Sequence, residues 1–233
     1  MKKHSLVSFS VVLLVTMLAC SAVSNFSATP TPFPTNTPLP ASTQLPSPIP
    51  NSVLFEDGEF TRSCSTESTT DVERFVENGQ FNMRVLTPSF LSWSECTKVE
   101  YSDFVMEVDA TQVSGPDNNS YGIIFRFGLE SNEFYTFSIS GDGFYVLAID
   151  GPNRDKTEII VDWAESSAIK RGAQTNRLKV IVLGENIQYY VNDQLLGETQ
   201  DNKLSTGTLG FFVGTLDEGN VQISFDNLKI SKP

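Results

Sequence analysis

Histidine is almost absent from this chain of 233 residues, which contains only His4. Because His4 precedes an apolar segment typical of an export signal, the part of the chain that folds carries no imidazole. Serine and cysteine nucleophiles that depend on a histidine base are therefore excluded, and so are zinc or iron sites with histidine ligands.

Positive charge is also scarce, because 16 lysines and arginines stand against 28 aspartates and glutamates, for a formal charge of −12. A surface of this sign repels phosphate backbones, so nucleic acid is excluded as a partner. The acidic surface does not identify any other partner, because a high net charge also simply keeps a protein soluble.

No hydrophobic run is long enough for a transmembrane helix, which needs about 20 apolar residues. The apolar stretch from Leu6 to Ala19 follows Lys2 and Lys3, which is the order of a signal peptide. It ends in Met17-Leu18-Ala19-Cys20, which resembles the lipobox of bacterial lipoproteins, where the cysteine is acylated and becomes the new N-terminus. An ordinary signal peptide followed by a chance cysteine is the alternative.

Charge is missing altogether from residue 21 to residue 52, where proline repeatedly follows Thr, Phe, Leu, Ser or Ile. Such a segment cannot bury a core, and proline biases it toward extended polyproline II. We therefore predict that residues 1–19 are a lipoprotein signal peptide and that 20–52 are a lipid-anchored Pro/Thr/Ser-rich tether, about 60 Å long in its proline-rich part. Residues 53–233 are the predicted folded domain, exported and held to a membrane of the cell envelope through Cys20.

The domain shows short apolar runs separated by turn signals, with no sustained helical period. Tyr135, Phe137 and Ile139 alternate with Thr136, Ser138 and Ser140, and Tyr121, Ile123, Phe125 and Phe127 form a stripe that Arg126 opposes. About a dozen such strands predict an all-β fold, a two-sheet antiparallel sandwich of the jelly-roll type. Residues 163–171 are predicted as a short helix or an irregular crossing.

Several runs in this region carry a family resemblance: Asp103-Phe-Val-Met-Glu-Val-Asp-Ala, Tyr121-Gly-Ile-Ile-Phe-Arg-Phe, Phe134-Tyr-Thr-Phe-Ser-Ile, Asn176-Arg-Leu-Lys-Val, Tyr190-Val-Asn-Asp, Gly207-Thr-Leu-Gly-Phe and Val221-Gln-Ile-Ser-Phe-Asp-Asn-Leu. They resemble the concanavalin A-like lectin/glucanase superfamily, and within it the laminin-G-like and 3-keto-disaccharide hydrolase-like domains of bacterial envelope proteins. These motifs are structural, so the resemblance implies a fold more specifically than an activity.

Glu107-Val108-Asp109-Ala110-Thr111-Gln112 is similar to the Glu-x-Asp-x-x-Glu motif of family 16 glucanases, in which the two glutamates are the nucleophile and the acid/base. Gln112 stands where the acid/base would be and cannot exchange a proton. Without a β-bulge its side chain also points to the core side of the strand. We therefore predict no catalytic residues here and interpret the segment as a solvated strand face.

Cys64 and Cys96 are the only cysteines after Cys20. In an oxidising envelope two such cysteines tend to pair, so we predict a disulfide, with two free thiols as the alternative.

Glu56 and Asp57 open the domain and Asp226 lies in its last predicted strand. First and last strands are often neighbours in such sandwiches, so these carboxylates are candidate ligands of a structural Ca²⁺, with solvated edge charges as the alternative. No other cofactor is expected.

A ligand on the concave sheet would meet the side chains that alternate with the core stripes. The predicted ligand-binding residues are Arg126, Thr136, Ser138, Gln188, Tyr190 and Asn192, with Glu107 and Asp109 as weaker candidates. A sugar needs a ring to stack on and polar groups to orient it, and Tyr190 and Arg126 would supply both. Other candidate stacking rings are Trp93, Trp163, Tyr121 and Tyr145.

Three functions follow from these features. The first is a lipid-anchored envelope module that recognises carbohydrate, the second is a glycoside or 3-keto-disaccharide hydrolase-type enzyme, and the third is a structural or protein-interaction domain without a small ligand. The missing histidine and the incomplete carboxylate motif favour the first over the second.

The lipid anchor makes a direct prediction. Because Cys20 would carry a thioether-linked diacylglycerol on its sulfur and an amide-linked acyl chain on its amine, Cys20→Ser should move the protein from the membrane fraction to the soluble fraction after ultracentrifugation. A Ser21→Ala variant, which keeps the thiol, should stay with the membranes. If Cys20→Ser sediments with membranes as the wild type does, the lipidation is disproved.

Overall fold

The computed structural model describes residues 52–60, 63–151 and 157–233. All of them belong to one compact unit, Pro46–Pro233. The predicted signal peptide, Cys20 and nearly all of the tether lie outside the described residues. Within the described ranges no helix is long and apolar enough to cross a bilayer.

The described residues form fourteen strands, β1 to β14, in two sheets. The eight-stranded sheet contains, in spatial order, β12 (Gln194–Gln200), β11 (Asn186–Val191), β10 (Thr175–Leu183), β5 (Phe104–Ser114), β14 (Val221–Ser231), β3 (Gln80–Val85) and β2 (Val72–Glu77), with β1 (Val53–Asp57) also paired to β14. The six-stranded sheet contains β4 (Leu91–Glu95), β13 (Thr208–Gly214), β6 (Ser120–Phe127), β7 (Phe134–Ser140), β8 (Phe144–Asp150) and β9 (Glu158–Glu165). Neighbouring strands pair antiparallel, so the predicted all-β sandwich is confirmed.

The core lies between the two sheets and is built mainly from alternate side chains of the central strands. Aromatic pairs join the sheets across it. Phe211 stacks on Phe225 with ring centroids 4.1 Å apart, and Phe137 meets Tyr189 at 5.4 Å. Each such pair adds about 0.5–1.5 kcal/mol beyond the burial of its area. The alternation therefore decides which residues face inward and leaves the remainder on the outer faces.

The segment from Trp163 to Arg171 contains no helix: its first residues, up to Glu165, complete β9, and residues 166–171 form an irregular crossing. Trp163 still belongs to β9, and the turns that follow are fixed by backbone hydrogen bonds from Ser166 N to Gly143 O and from Gly172 N to Gly141 O, of 3.0 and 2.9 Å. Of the two predicted alternatives, the crossing is the one that forms.

A β-bulge interrupts β6 at Arg126, whose φ angle is +51°. Phe125 and Arg126 together oppose the single residue Leu209 of β13, so the alternation shifts by one residue. Phe125 stays in the core, whereas Phe127 moves to the outer face. There it lies 5.6 Å from Phe134, between ring centroids. The expectation that Phe127 continues the inward stripe is therefore wrong.

The predicted disulfide between Cys64 and Cys96 is confirmed. It ties the segment that precedes β2 to the residue that directly follows β4. Cys96 is fully buried against the main core, so the cross-link anchors an irregular segment to the six-stranded sheet.

The disulfide should contribute measurably to the free energy of unfolding. Its cysteines are 32 residues apart, and for a loop of that length the chain-entropy model gives about 3–4 kcal/mol. Cys64→Ala/Cys96→Ala should lower the guanidinium midpoint accordingly, and adding reductant should lower the wild type but leave the double variant unchanged. Equal midpoints for the oxidised wild type and the double variant would contradict this.

Candidate functional site

The outer face of the six-stranded sheet carries two adjoining depressions of about 230 and 300 Å³, which share Ser120 and Trp163. We call them together the outer groove. Its lining residues are Leu91, Asn118, Ser120, Thr136, Ser138, Ser140, Asp142, Phe144, Val146, Ala148, Asp150, Thr157, Ile159, Trp163, Phe212 and Leu216. Each depression is near the lower end of the about 300–1,000 Å³ that is usual for small-molecule sites.

The floor of the outer groove is set by β6 and β7. Because Tyr135, Phe137 and Ile139 enter the core, Thr136 and Ser138 of the same strand must face outward. Gly122 pairs with Ser138 on one side and with Phe212 on the other. A Cβ atom there would lie 2.1 Å from the carbonyl oxygen of Phe137, so no larger residue fits. The missing side chain keeps the floor open beside Ser138.

The hydroxyl of Ser138 is the unusual polar group of this floor. The residue is 1% exposed, and its Oγ has no hydrogen-bond partner among the described residues. A buried hydroxyl without a partner costs about 1–3 kcal/mol, so such groups are rare unless a ligand or water completes them. Ser138 is therefore a polar group of the groove floor whose hydrogen-bonding capacity the described residues leave unused.

Asp150 brings a carboxylate to one end of the outer groove. Its two oxygens accept hydrogen bonds from the hydroxyls of Thr136 and Thr157, at 2.9 and 2.7 Å, and the residue is nearly buried. Among the described lining residues there is no lysine or arginine. The charged groups among the described lining residues are thus carboxylates, and that of Asp150 is held in a fixed position.

Trp163 forms the wall shared by both depressions. A β-bulge places Asp162 and Trp163 together opposite Val146, and the Asp162 carboxylate accepts the Trp163 backbone N–H at 2.8 Å. Bulges often re-aim a side chain beside a functional site. The indole is 46% exposed, and exposed Ile159 and Leu216 also border the groove. An aromatic wall above hydroxyls and a carboxylate suits a sugar, which has apolar ring faces and polar edges.

Only two of the six predicted ligand-binding residues, Thr136 and Ser138, lie in the outer groove. Arg126 is instead buried at 2% exposure. Its guanidinium donates to the carbonyl oxygens of Ser102, Gly184 and Leu204, at 2.7, 2.8 and 2.9 Å, which ties three loops together. Arg126 is therefore closed to a ligand, because the bulge turned it away from the outer face.

Burial lowers the pKa of the Arg126 guanidinium, against the raising effect of Tyr135, Asp103 and Asp201 nearby. Burial also raises the pKa of the Tyr135 hydroxyl to about 12, and its bond to Asp201 adds to the rise. These groups stabilise one end of the sandwich and are not exposed to solvent for chemistry.

Gln188 and Tyr190 lie on the outer face of the eight-stranded sheet, opposite to the groove. The Tyr190 hydroxyl donates to Gln188 Oε1 at 2.9 Å, and Lys179 Nζ lies 5.3 Å from the Tyr190 ring centroid. Asn192 follows in a turn, where its amide donates to Ala168 O and Asn176 Oδ1, each at 2.8 Å. The predicted convergence of Tyr190 with Arg126 does not occur, because the two residues belong to different sheets.

Glu107 and Asp109 also face outward from the eight-stranded sheet, and each is paired with a cation. Lys179 lies 3.3 Å from Glu107, and Arg177 lies 3.1 Å from Asp109. The alternation of β5 is regular here, so Gln112 is buried and donates to the carbonyl oxygens of Gly115 and Pro116. As expected without a bulge, Gln112 points to the core side.

The candidate Ca²⁺ ligands are not brought together. β1 does pair with β14, but Glu56 lies opposite Lys229, Asp57 accepts the Glu59 N–H at 3.2 Å, and Asp226 accepts the Gln80 amide at 3.0 Å. No group of three or more acidic, cysteine or histidine side chains that would hold a metal occurs in the described ranges. The predicted site at Glu56, Asp57 and Asp226 is not assembled, because protein donors occupy or separate its carboxylates.

The outer groove lies on a two-sheet antiparallel sandwich, and solved structures share this architecture. A protein of unknown function with a galectin-like fold from Bacillus subtilis has a TM-score of 0.59 at 9% identity, over 77% of this chain and 96% of that one. The carbohydrate binding module CBM66 from Bacillus subtilis has 0.51 at 15% identity, over 73% and 96%. The catalytic domain of a Thermotoga petrophila endo-1,3-beta-glucanase (laminarinase) has 0.53 at 10% identity, over 78% and 98%. At these identities the likeness shows the fold alone.

Residues 53–231 match the family described as the 3-keto-alpha-glucoside-1,2-lyase-like domain, and the chain belongs to this family. The sequence resemblance to concanavalin A-like and 3-keto-disaccharide hydrolase-like domains is thereby confirmed. No curated protein matches the chain in sequence.

The unpartnered Ser138 hydroxyl predicts an unusual mutational result. Ser138→Ala should leave the free energy of unfolding within about 0.5 kcal/mol of the wild type or raise it, since it removes a buried polar group that lacks a bond. Thr136→Val, the matched control, should lower it by about 1–3 kcal/mol because it breaks the bond to Asp150. Chemical unfolding measures both. A Ser138→Ala loss as large as that of the control would show that the hydroxyl has a structural partner.

Proposed function

We propose that this chain is an exported, lipid-anchored binding module that recognises carbohydrate in the outer groove. The observation that carries the proposal is the pairing of an exposed indole, Trp163, with an unpartnered floor hydroxyl, Ser138, in one groove. A sugar satisfies both, since its ring stacks on the indole while its hydroxyls reach the floor. Stacking and hydrogen bonding together are the usual means of orienting a small ligand in such a cleft.

Two comparisons support a carbohydrate over other small ligands. The family is described by a reaction of a glucoside, and one structural neighbour is named as a carbohydrate binding module. The anchor is supported by the lipobox-like residues before Cys20 and by the charge-free tether, which would hold the groove away from the membrane surface.

Binding without turnover is favoured by the state of the carboxylates in the groove. Glycoside hydrolysis commonly uses two carboxyl groups, one of which transfers a proton. Asp150 accepts two threonine hydroxyls, and Asp142, in the other depression, accepts the Ser140 hydroxyl. Both carboxylates are held by the protein's own donors, which suits a fixed acceptor better than a proton carrier.

An enzyme acting on a glycan or disaccharide derivative is the second candidate, and the family description favours it. Incubating the full chain with an oligosaccharide panel, with and without the 3-keto forms of its disaccharides, separates the candidates. Binding without product supports the module, product that Asp150→Asn abolishes supports the enzyme, and neither binding nor product supports an interaction domain.

The groove makes a face-specific prediction. Trp163→Ala should weaken glycan binding by about 1–3 kcal/mol, the scale of losing a contact hot spot, because it removes the stacking surface. Since Trp163 lies half exposed on the edge strand β9, the fold should survive. Isothermal titration calorimetry with the tightest-binding member of the panel measures the effect.

Tyr190→Ala is the matched control, because it removes an aromatic ring from the opposite outer face. It should leave the affinity unchanged. The reverse result, in which Tyr190→Ala weakens binding and Trp163→Ala does not, would place the ligand on the eight-stranded sheet and end the proposal.

A further inference from the structure

We infer that the outer groove selects its ligand by charge, accepting neutral glycans and rejecting glycans that carry a carboxylate, and that Asp150 is the specificity-determining residue. The inference rests on the proposed function, since it concerns what the groove binds. It goes further by naming the class of glycan and the group that discriminates.

The position of the Asp150 carboxylate is fixed from both sides. Thr136 donates to one carboxylate oxygen and Thr157 donates to the other. Thr136 lies on β7 and Asp150 ends β8, so two paired strands hold the group in register. A carboxylate held in this way cannot turn aside when a ligand with a like charge enters.

The surroundings of Asp150 weaken the screening of its charge. The residue is 7% exposed and shares the first depression with Val146, Ala148 and Ile159. Buried and partly buried charges are screened much less than surface charges. The formal charge of the whole chain is −12, so the net field of the protein adds to the repulsion of an anionic ligand.

The hydrogen-bonding capacity of the site favours hydroxyl groups. An ionised carboxylate offers about four acceptor positions, and the two threonines use two of those on Asp150. A sugar hydroxyl can donate to the remainder, whereas a uronate carboxylate brings only acceptors and a second negative charge. The unpartnered Ser138 hydroxyl lies in the same depression and would offer such a ligand a further hydrogen bond.

The test compares three charge forms of the same oligosaccharide. Three hexasaccharides are used, one each of glucose, mannose and galactose. Each is prepared in a neutral form, a form with carboxylates at C6 and a form with amines at C6. The full chain should bind the neutral form at least about tenfold more tightly than its uronate, a modest like-charge penalty. The amine form should bind at least as tightly as the neutral form.

Asp150→Asn should bring the neutral and uronate affinities to within about twofold of each other, because it removes the charge and keeps the shape. Asp193→Asn is the matched control. It removes the same charge from an exposed turn of the eight-stranded sheet, where Asp193 lies 3.3 Å from Lys179, and it should leave the discrimination unchanged.

The outcomes separate this inference from the proposed function. The charge selection is overturned, while glycan binding stands, if the wild type binds the uronate as tightly as the neutral form. The same holds if Asp193→Asn has an effect equal to that of Asp150→Asn.

If Asp150→Asn does not fold, the charge selection is still tested by the order of the wild-type affinities for the three forms. An amine form that binds more weakly than its uronate overturns the inference. Absence of binding to every form ends both the proposed function and the inference.

Discussion

The packing of alternate side chains into one core between the two sheets is the constraint on which this domain depends. Phe211 and Phe225 stack between the sheets, and Phe137 and Tyr189 meet between them, so these strands cannot slip by a residue without moving aromatic rings into solvent. The outer faces contain what remains. Thr136 and Ser138 line the groove because their neighbours along β7 are needed inside, and the chemistry of the site thus follows from the packing of the core.

Two of the register shifts in the sheets, one in β6 and one in β9, affect what the groove contains. The bulge in β6 turns Arg126 into the end of the sandwich, where three backbone carbonyls accept its donors. The positive charge that the alternation would have placed outside is thereby removed from the groove side. The bulge in β9 does the opposite, since it brings the exposed indole of Trp163 to the wall. The described lining is consequently aromatic, hydroxylic and acidic, without a cation.

The sequence pattern was sufficient for the fold class, the disulfide and the outward orientation of Thr136 and Ser138, because all three depend on local alternation or on a count of cysteines. It did not predict β2, β4 or β9. All three end a sheet, and strands at a sheet edge bury less and alternate weakly. In the sequence Trp163 is one candidate ring among several, because it lies on such a strand. The residues around Trp163 in the sequence do not predict the bulge or the exposure of the indole.

The remaining errors concern which residues meet across the chain. Arg126 and Tyr190 were expected to converge, but sheet membership depends on pairings between residues far apart in sequence, and the β6 bulge depends on β13. The same limit applies to Glu56, Asp57 and Asp226. The strands that carry them do neighbour each other, yet the register places Lys229 opposite Glu56 and gives Asp226 to Gln80. Neighbouring strands were predictable, whereas the partner of each side chain was not.

The central claim is that ligand recognition occurs on the outer face of the six-stranded sheet, and an NMR titration tests it most directly. The backbone amides of the isotopically labelled full chain are followed while a bound oligosaccharide is added. We expect the shifted resonances to cluster in β6 to β9, around Ser120, Ser138 and Trp163. Shifts concentrated instead in β10 and β11, around Lys179 and Tyr190, would contradict the claim.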